Sequence, residues 1–193
     1  MTAEPLPDWF FPPPGGWTAE DLDRLPPEAP DHIELIDGAL VVMSPHRTFH
    51  SRVMWRLAAA LDAAAPVGVG VDIEVTVRLA KRQRPEPDVV VFTERRPEEA
   101  NRTYHLPEEV LLVIEIVSAE SEERDRETKP LKYAKAGIRH FWRIEEEEHD
   151  RPAVYVYELD AATERYVPTA IVRDRLKLDV PFPLDIDVAA LFP

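Results

Sequence analysis

The chain has 193 residues, no cysteine and a net charge of −14 from 37 acidic and 23 basic side chains. That length suits one domain spanning 1–193 with its own core, and 45% apolar residues place the chain among globular rather than disordered sequences. The missing cysteines exclude disulfides, thiolate zinc sites and cysteine nucleophiles, and the acidity disfavours a protein that coats nucleic acid, because phosphate contacts need a basic face.

The N-terminal MTAEPLPDWF lacks a basic stretch followed by an apolar one, so no signal peptide is expected. No apolar run is long enough to cross a bilayer, so no membrane partner is expected and the cytoplasm is the simplest location. Residues 1–16 are proline-rich and end in Gly15-Gly16, which reads as an irregular arm. Thr18 is placed to cap a short helix that Pro26 and Pro27 end. HIELIDGALVVM (32–43) reads as two strands around a tight Asp37-Gly38 turn. Phe49, Val53, Leu57 and Leu61 recur every four residues and predict a helix over 49–65, with Arg52 and Arg56 on another face.

VDIEVTVRL (71–79) alternates strictly and predicts one half-buried strand, with Glu74 on its polar face. DVVVF (88–92), VLLVIEIV (110–117) and IRHFWRIE (138–145) lack alternation and predict central strands buried on both faces. Residues 118–137 read as a polar helix that Gly137 ends. EEEEHD (145–150) reads as an exposed turn. Residues 153–159, 165–172 and 176–180 predict an antiparallel β-rich section, and the tail a short helix. Together these elements predict an α/β fold with a mixed sheet flanked by helices and no second core.

Two carboxylates interrupt the buried strands, Asp88 at the start of one and Glu115 inside the next. A lone acid there is most often tied to an arginine or to backbone N–H groups. Two on successive strands can converge if the strands are neighbours. Hard dications such as Mg²⁺ or Mn²⁺ take oxygen ligands, commonly one or two carboxylates plus water and substrate phosphate. The following helix carries Lys129 and Tyr133 four residues apart, on one face. His46, Arg47, His50 and Arg52 lie at the start of the long helix, where phosphate binds well; ordinary surface polarity is the competing reading. No GxSxG, GxxxxGKS/T or HExxH occurs, which weakens serine-hydrolase, P-loop and zincin readings.

The order of these residues resembles a known family. Glu34-Leu-Ile-Asp-Gly38, Met43-Ser-Pro45, His50, Pro87-Asp88, Ile114-Glu115-Ile-Val-Ser118, Asp125, Lys129, Tyr133, Ala136-Gly137-Ile138 and Phe141-Trp142 follow in unbroken order over about residues 32 to 142. This set is similar to the Uma2 family within the PD-(D/E)XK nuclease superfamily. The resemblance implies a restriction-endonuclease-like core and a metal-dependent endonuclease, a hydrolase acting on nucleic acid, DNA in the first place. Carried over, Asp88 and Glu115 would be Mg²⁺ or Mn²⁺ ligands. Lys129 and Glu34 would complete the catalytic set. From their own positions, His50 and Arg52 at the start of the long helix and Tyr133 on the face of Lys129, these three are the candidates to meet substrate. A homodimer would suit such an enzyme, since cutting a duplex needs two active sites. One departure stands out. The superfamily's lysine follows the acid by two residues, where this chain has Val117, so the role would move to Lys129 on the next helix. Pro130 disfavours helical geometry at Lys129. Two other readings compete: a catalytically inactive module on the same fold that binds a protein or nucleic acid, and purely structural roles for Asp88 and Glu115.

Overall fold

The computed structural model describes residues 6–93, 101–148 and 151–192. A hairpin of β1 (Ile33–Ile36) and β2 (Ala39–Val42) precedes helix α1 (Thr48–Ala64). Then come β3 (Val69–Ile73), β4 (Thr76–Val77), β5 (Val89–Thr93), β6 (Tyr104–His105) and β7 (Val110–Ile116). A π-helical turn (Arg124–Thr128) runs into helix α2 (Lys129–Lys135). The chain continues through β8 (His140–Glu147), β9 (Arg151–Asp160), β10 (Arg165–Val172), β11 (Arg175–Leu178) and β12 (Leu184–Asp187).

The central sheet is six-stranded, in the order β10-β9-β8-β7-β5-β3. Only its β7–β8 pair is parallel, and α2 makes that crossover. The three runs without alternation occupy inner positions. Val89, Val91, Leu112, Ile114 and Trp142 pack with Phe49, Val53, Leu57 and Leu61 of α1. Val90, Val113 and Phe141 pack on the opposite side with Tyr133 of α2. Both faces of these strands are covered, so both sets of side chains must be apolar. In the hairpin, Asp37 and Gly38 have φ of 52° and 82°, the left-handed pair that a two-residue turn between twisted strands requires.

The structure corrects several local expectations. The strand foreseen over 71–79 is broken at Glu74, whose φ of 54° is in the left-handed region. β3 ends before it and pairs with β5, whereas β4 pairs with β6. Glu145–Glu147 are not an exposed turn but the end of β8, and Glu145 is buried. Each acid there has an arginine: Glu145 takes Arg126 and Arg143, Glu146 takes Arg47, and Glu147 takes Arg173. His149 and Asp150 lie outside the described residues. The tail is mainly β12, paired with β11, with one short 3₁₀ turn at Ala189–Leu191. Thr18 does not cap with its own oxygen; its N–H and hydroxyl both donate to Asp21 Oδ2. The first residues of the arm, 1–5, lie outside the described residues.

One buried cation ties the lead-in to the sheet. Arg84 is 3% exposed, and its guanidinium donates to Thr76 Oγ1 at 2.9 Å, the Ala19 carbonyl at 2.8 Å and Thr103 Oγ1 at 2.9 Å. Asp23 supplies the countercharge at 2.9 Å. The Arg84 backbone exchanges two hydrogen bonds with Leu35, which fixes β1 against the segment leading to Asp88. Removing the guanidinium leaves those acceptors and the Asp23 charge without their partner. We expect Arg84→Ala to cost about 3 kcal/mol in urea unfolding, whereas a surface change such as Arg24→Ala stays within about 0.5 kcal/mol.

Candidate active site

The acids of the two inner strands meet at one end of the sheet. β5 and β7 are antiparallel with Val89 opposite Ile114, so the residue before Val89 and the residue after Ile114 are brought side by side. Those residues are Asp88 and Glu115. Asp88 Oδ2 accepts the Ile116 N–H at 2.5 Å, which locks its carboxylate onto the neighbouring strand. The first turns of α1 and α2 close over the same end from opposite faces of the sheet.

α1 contributes His50, whose Nε2–H donates to Asp88 Oδ1 at 2.7 Å. Burial works against charge on both, but their mutual contact wins: His50 is pushed above its ordinary value and Asp88 below. His46, two residues before α1, stacks on His50 with ring centroids 3.9 Å apart. Its Nε2 meets Glu74 Oε1 at 2.9 Å. The left-handed backbone at Glu74 is stabilised by its N–H donating to the Asp88 carbonyl at 3.2 Å.

α2 contributes Lys129, 1% exposed. Its Nζ lies 2.6 Å from Glu34 Oε1, 3.0 Å from Glu115 Oε2 and 3.4 Å from Asp125 Oδ1, and donates to the Glu86 carbonyl at 3.3 Å. Burial opposes the ammonium charge, but Glu115, Glu34 and Asp125 outweigh it and hold Lys129 firmly protonated. Glu115 is pushed well up by burial and by Asp125, Asp88 and Glu34, against the pull of Lys129. Asp125 is raised mainly by burial as well. Tyr133, fully buried, donates its hydroxyl to Glu115 Oε1 at 2.6 Å. Glu86 donates its N–H to Glu34 at 2.9 Å, while its own carboxyl, facing His32, is pushed to about 7 by burial.

Pro130 does not prevent this arrangement. Lys129 is helical at φ −63° and ψ −44°, and its N–H reaches back to the Arg124 carbonyl in π-helical fashion. The π-helical turn runs directly into α2, with Pro130 at the second position of α2. Lys129 thereby reaches Glu115 from a separate helix, although the position two residues after Glu115 is Val117.

A cavity of about 440 Å³ opens onto this cluster, with His46, His50, Asp88, Glu115, Asp125 and Lys129 in its wall. Glu34 and Tyr133 are fully buried and touch the wall through Lys129 and Glu115. Arg52 is not brought to the cluster; its exposed guanidinium lies 5.9 Å over the Phe192 ring. Asp125 belongs to the site, although only its place in the family pattern pointed to it; it lies one helical turn before Lys129 and 3.4 Å from its Nζ. His46, a phosphate-contact candidate from its place ahead of α1, and Glu74, an acid able either to extend the cluster or to face solvent, both join it, His46 by stacking on His50 and Glu74 through His46.

The donor set suits a hard dication. Glu34, Asp88, Glu115 and Asp125 are all buried; Lys129 and His50 meet them directly, and Arg47 and Arg124 also line the cavity. Glu34 Oε2 and Asp125 Oδ1 are buried without a hydrogen-bond donor. Such an excess of anionic oxygen is what a bound cation neutralises.

The fold recurs in a solved structure titled as that of a "putative nuclease belonging to DUF820" from Anabaena variabilis ATCC 29413. It superposes with a TM-score of 0.70 at 19% identity, over 91% of this chain and 97% of that one. No curated protein matches the sequence. A family model described as "Putative restriction endonuclease" matches residues 19–190, taking in every site residue named above. The chain belongs to this family, Uma2.

Proposed function

We propose that the cavity is the active site of a metal-dependent endonuclease that hydrolyses phosphodiester bonds in nucleic acid, DNA in the first place. The observation that carries this reading is the protonated, buried Lys129 clasped by Glu115, Asp125 and Glu34 beside Asp88, in the wall of an open cavity. Family membership and the shared fold support it. Asp88 and Glu115 would hold Mg²⁺ or Mn²⁺, which supplies charge stabilisation on the phosphate and an acidified water.

The residues divide the remaining work. Lys129 is held protonated, so it serves as a donor and a fixed positive charge rather than as a base. Its ammonium stabilises negative charge building on the phosphoryl oxygens. Asp125, raised by burial and present in the cavity wall, is suited to take the proton of the attacking water. Glu34 and the Glu86 carbonyl position the lysine, and Tyr133 orients Glu115. Cutting both strands of a duplex would make a homodimer the working form, acting in the cytoplasm. The net charge of −14 favours a second reading, a nuclease fold that binds a partner without cutting.

With plasmid DNA, single-stranded DNA and RNA as substrates, we expect cleavage that needs Mg²⁺ or Mn²⁺ and stops with EDTA. Asp88→Ala and Glu115→Ala should each lower the rate by at least about a hundredfold while circular dichroism stays unchanged. Full activity in either variant, with contaminating nuclease excluded, ends the site assignment; no cleavage of any substrate by the wild type favours the binding module. Lys129→Met should cut the rate of the metal-loaded enzyme about a hundredfold. In the metal-free protein it should also cost about 3 kcal/mol in urea unfolding, because it leaves buried carboxylates unpaired.

A further inference from the structure

We propose that His46, His50 and Asp88 form a nitrogen-containing cation position, which makes this site select a transition-metal dication such as Mn²⁺, Co²⁺ or Zn²⁺ over Mg²⁺. The inference rests on the nuclease reading for what the ion does in catalysis. For ion binding it rests on geometry alone.

One ligand atom from each of the three residues lies within 4.8 Å of the others. The two imidazoles are stacked, with ring centroids 3.9 Å apart and 16° between their planes, so holding one shared ion would turn one ring out of the stack. His50 is 6% exposed, and its Nδ1 has no hydrogen-bond partner. A buried imidazole with an unpaired nitrogen is uncommon in a purely structural role, where both ring nitrogens normally find partners. Each histidine also meets a carboxylate: His50 meets Asp88 at 2.7 Å and His46 meets Glu74 at 2.9 Å. The His50 Nε2–H is engaged by Asp88, which leaves Nδ1 as the nitrogen that would be offered to an ion.

Glu74 extends the argument. Histidine ligands are commonly oriented by a carboxylate on the ring, which fixes the tautomer and strengthens the donor. Glu74 makes such a contact with His46 from a left-handed backbone conformation that interrupts the strand. A glutamate held there is strained, and the carboxylate's hold on His46 gives that strain a purpose.

The ligand types determine the selectivity. Mg²⁺ demands near-ideal octahedral oxygen ligation and gives up its water reluctantly, whereas Mn²⁺ accepts a mixed oxygen and nitrogen set and imidazole suits the later first-row dications such as Co²⁺ and Zn²⁺ best. All three residues share the cavity wall with Glu115 and Lys129, so an ion here faces the same substrate space.

The test is electron paramagnetic resonance with Mn²⁺ as the probe, on the full chain and without substrate. Bound Mn²⁺ should show ¹⁴N coupling from histidine, and Mg²⁺ should displace it only at more than about tenfold higher concentration. His46→Ala, a change at a partly exposed residue, should weaken Mn²⁺ binding at least about tenfold and diminish the ¹⁴N coupling. Mg²⁺ binding, followed by calorimetry, should change by less than about twofold. Glu74→Gln should weaken Mn²⁺ binding by about tenfold. Bound Mn²⁺ without ¹⁴N coupling overturns the proposal, as does wild-type Mn²⁺ affinity in a folded His46→Ala. If that variant fails to fold, the wild-type coupling and the Mg²⁺ competition decide. Nitrogen-ligated Mn²⁺ without cleavage of any nucleic acid leaves this inference standing and removes the nuclease reading. Mg²⁺-supported cleavage with an all-oxygen Mn²⁺ site does the reverse.

Discussion

The architecture of this end of the sheet depends on burying one ammonium group. Lys129 is removed from water almost completely, and moving a charge into such surroundings costs several kcal/mol unless it is paired. The pairing comes from parts of the chain distant in sequence: Glu34 on β1, Glu115 on β7, Asp125 in the π-helical turn and the Glu86 carbonyl ahead of β5. Each of these segments must be in place before the lysine can be buried. The cluster is therefore also a device that fixes the hairpin, the sheet and α2 relative to one another. The balance is deliberately unequal, with more buried acid than buried base, and the surplus pushes Glu115 and Asp125 up. On the proposed reading, an ion in the cavity would neutralise that surplus.

The scaffold supplies position in two ways. Antiparallel register between β5 and β7 sets the two strand acids side by side, and the Ile116 N–H pins Asp88 in that place. The second device is the π-helical turn before α2. A regular α-helix through Pro130 would lack a donor and meet a steric clash, whereas the wider turn brings Lys129 to the sheet with its own N–H bonded. On the proposed reading, a helix-borne lysine in place of the strand position at Val117 uses this local change in helical winding. The same turn carries Asp125 onto the lysine's face.

Much of this was legible in the sequence, for reasons that differ by residue. Asp88 and Glu115 stood out because acids in doubly buried strands are costly, and Asp37-Gly38 because few dipeptides accept two left-handed residues. The apolar spacing of Phe49, Val53, Leu57 and Leu61 placed α1 within a residue at each end. What could not be read was whatever depends on a distant partner. VDIEVTVRL alternates perfectly, yet contacts made by Glu74 with His46 and the Asp88 carbonyl outweigh that pattern and break the strand. The acids of EEEEHD looked like solvent-facing charge because three of the arginines that meet them, Arg126, Arg47 and Arg173, are far away in the sequence. Arg52 sat at the right end of the right helix, but its direction depends on where the C-terminal Phe192 comes to rest.

The acidity of the chain and a phosphate-bearing substrate are compatible on the proposed reading. A nuclease that relied on surface lysines and arginines would need a basic face, and a net charge of −14 works against one. A buried acid cluster solves a different problem. It concentrates negative charge where a dication can reverse the local sign, so that phosphate is attracted to one point rather than to a surface. Binding would then be weak away from the site and strongly dependent on the ion. The chemistry of the ion, and so the identity of the first donors in the cavity wall, would govern substrate engagement as well as hydrolysis. That makes the nitrogen donors at His46 and His50 more than neighbours of the carboxylates: on this reading they control which cation makes the protein competent to bind its substrate at all.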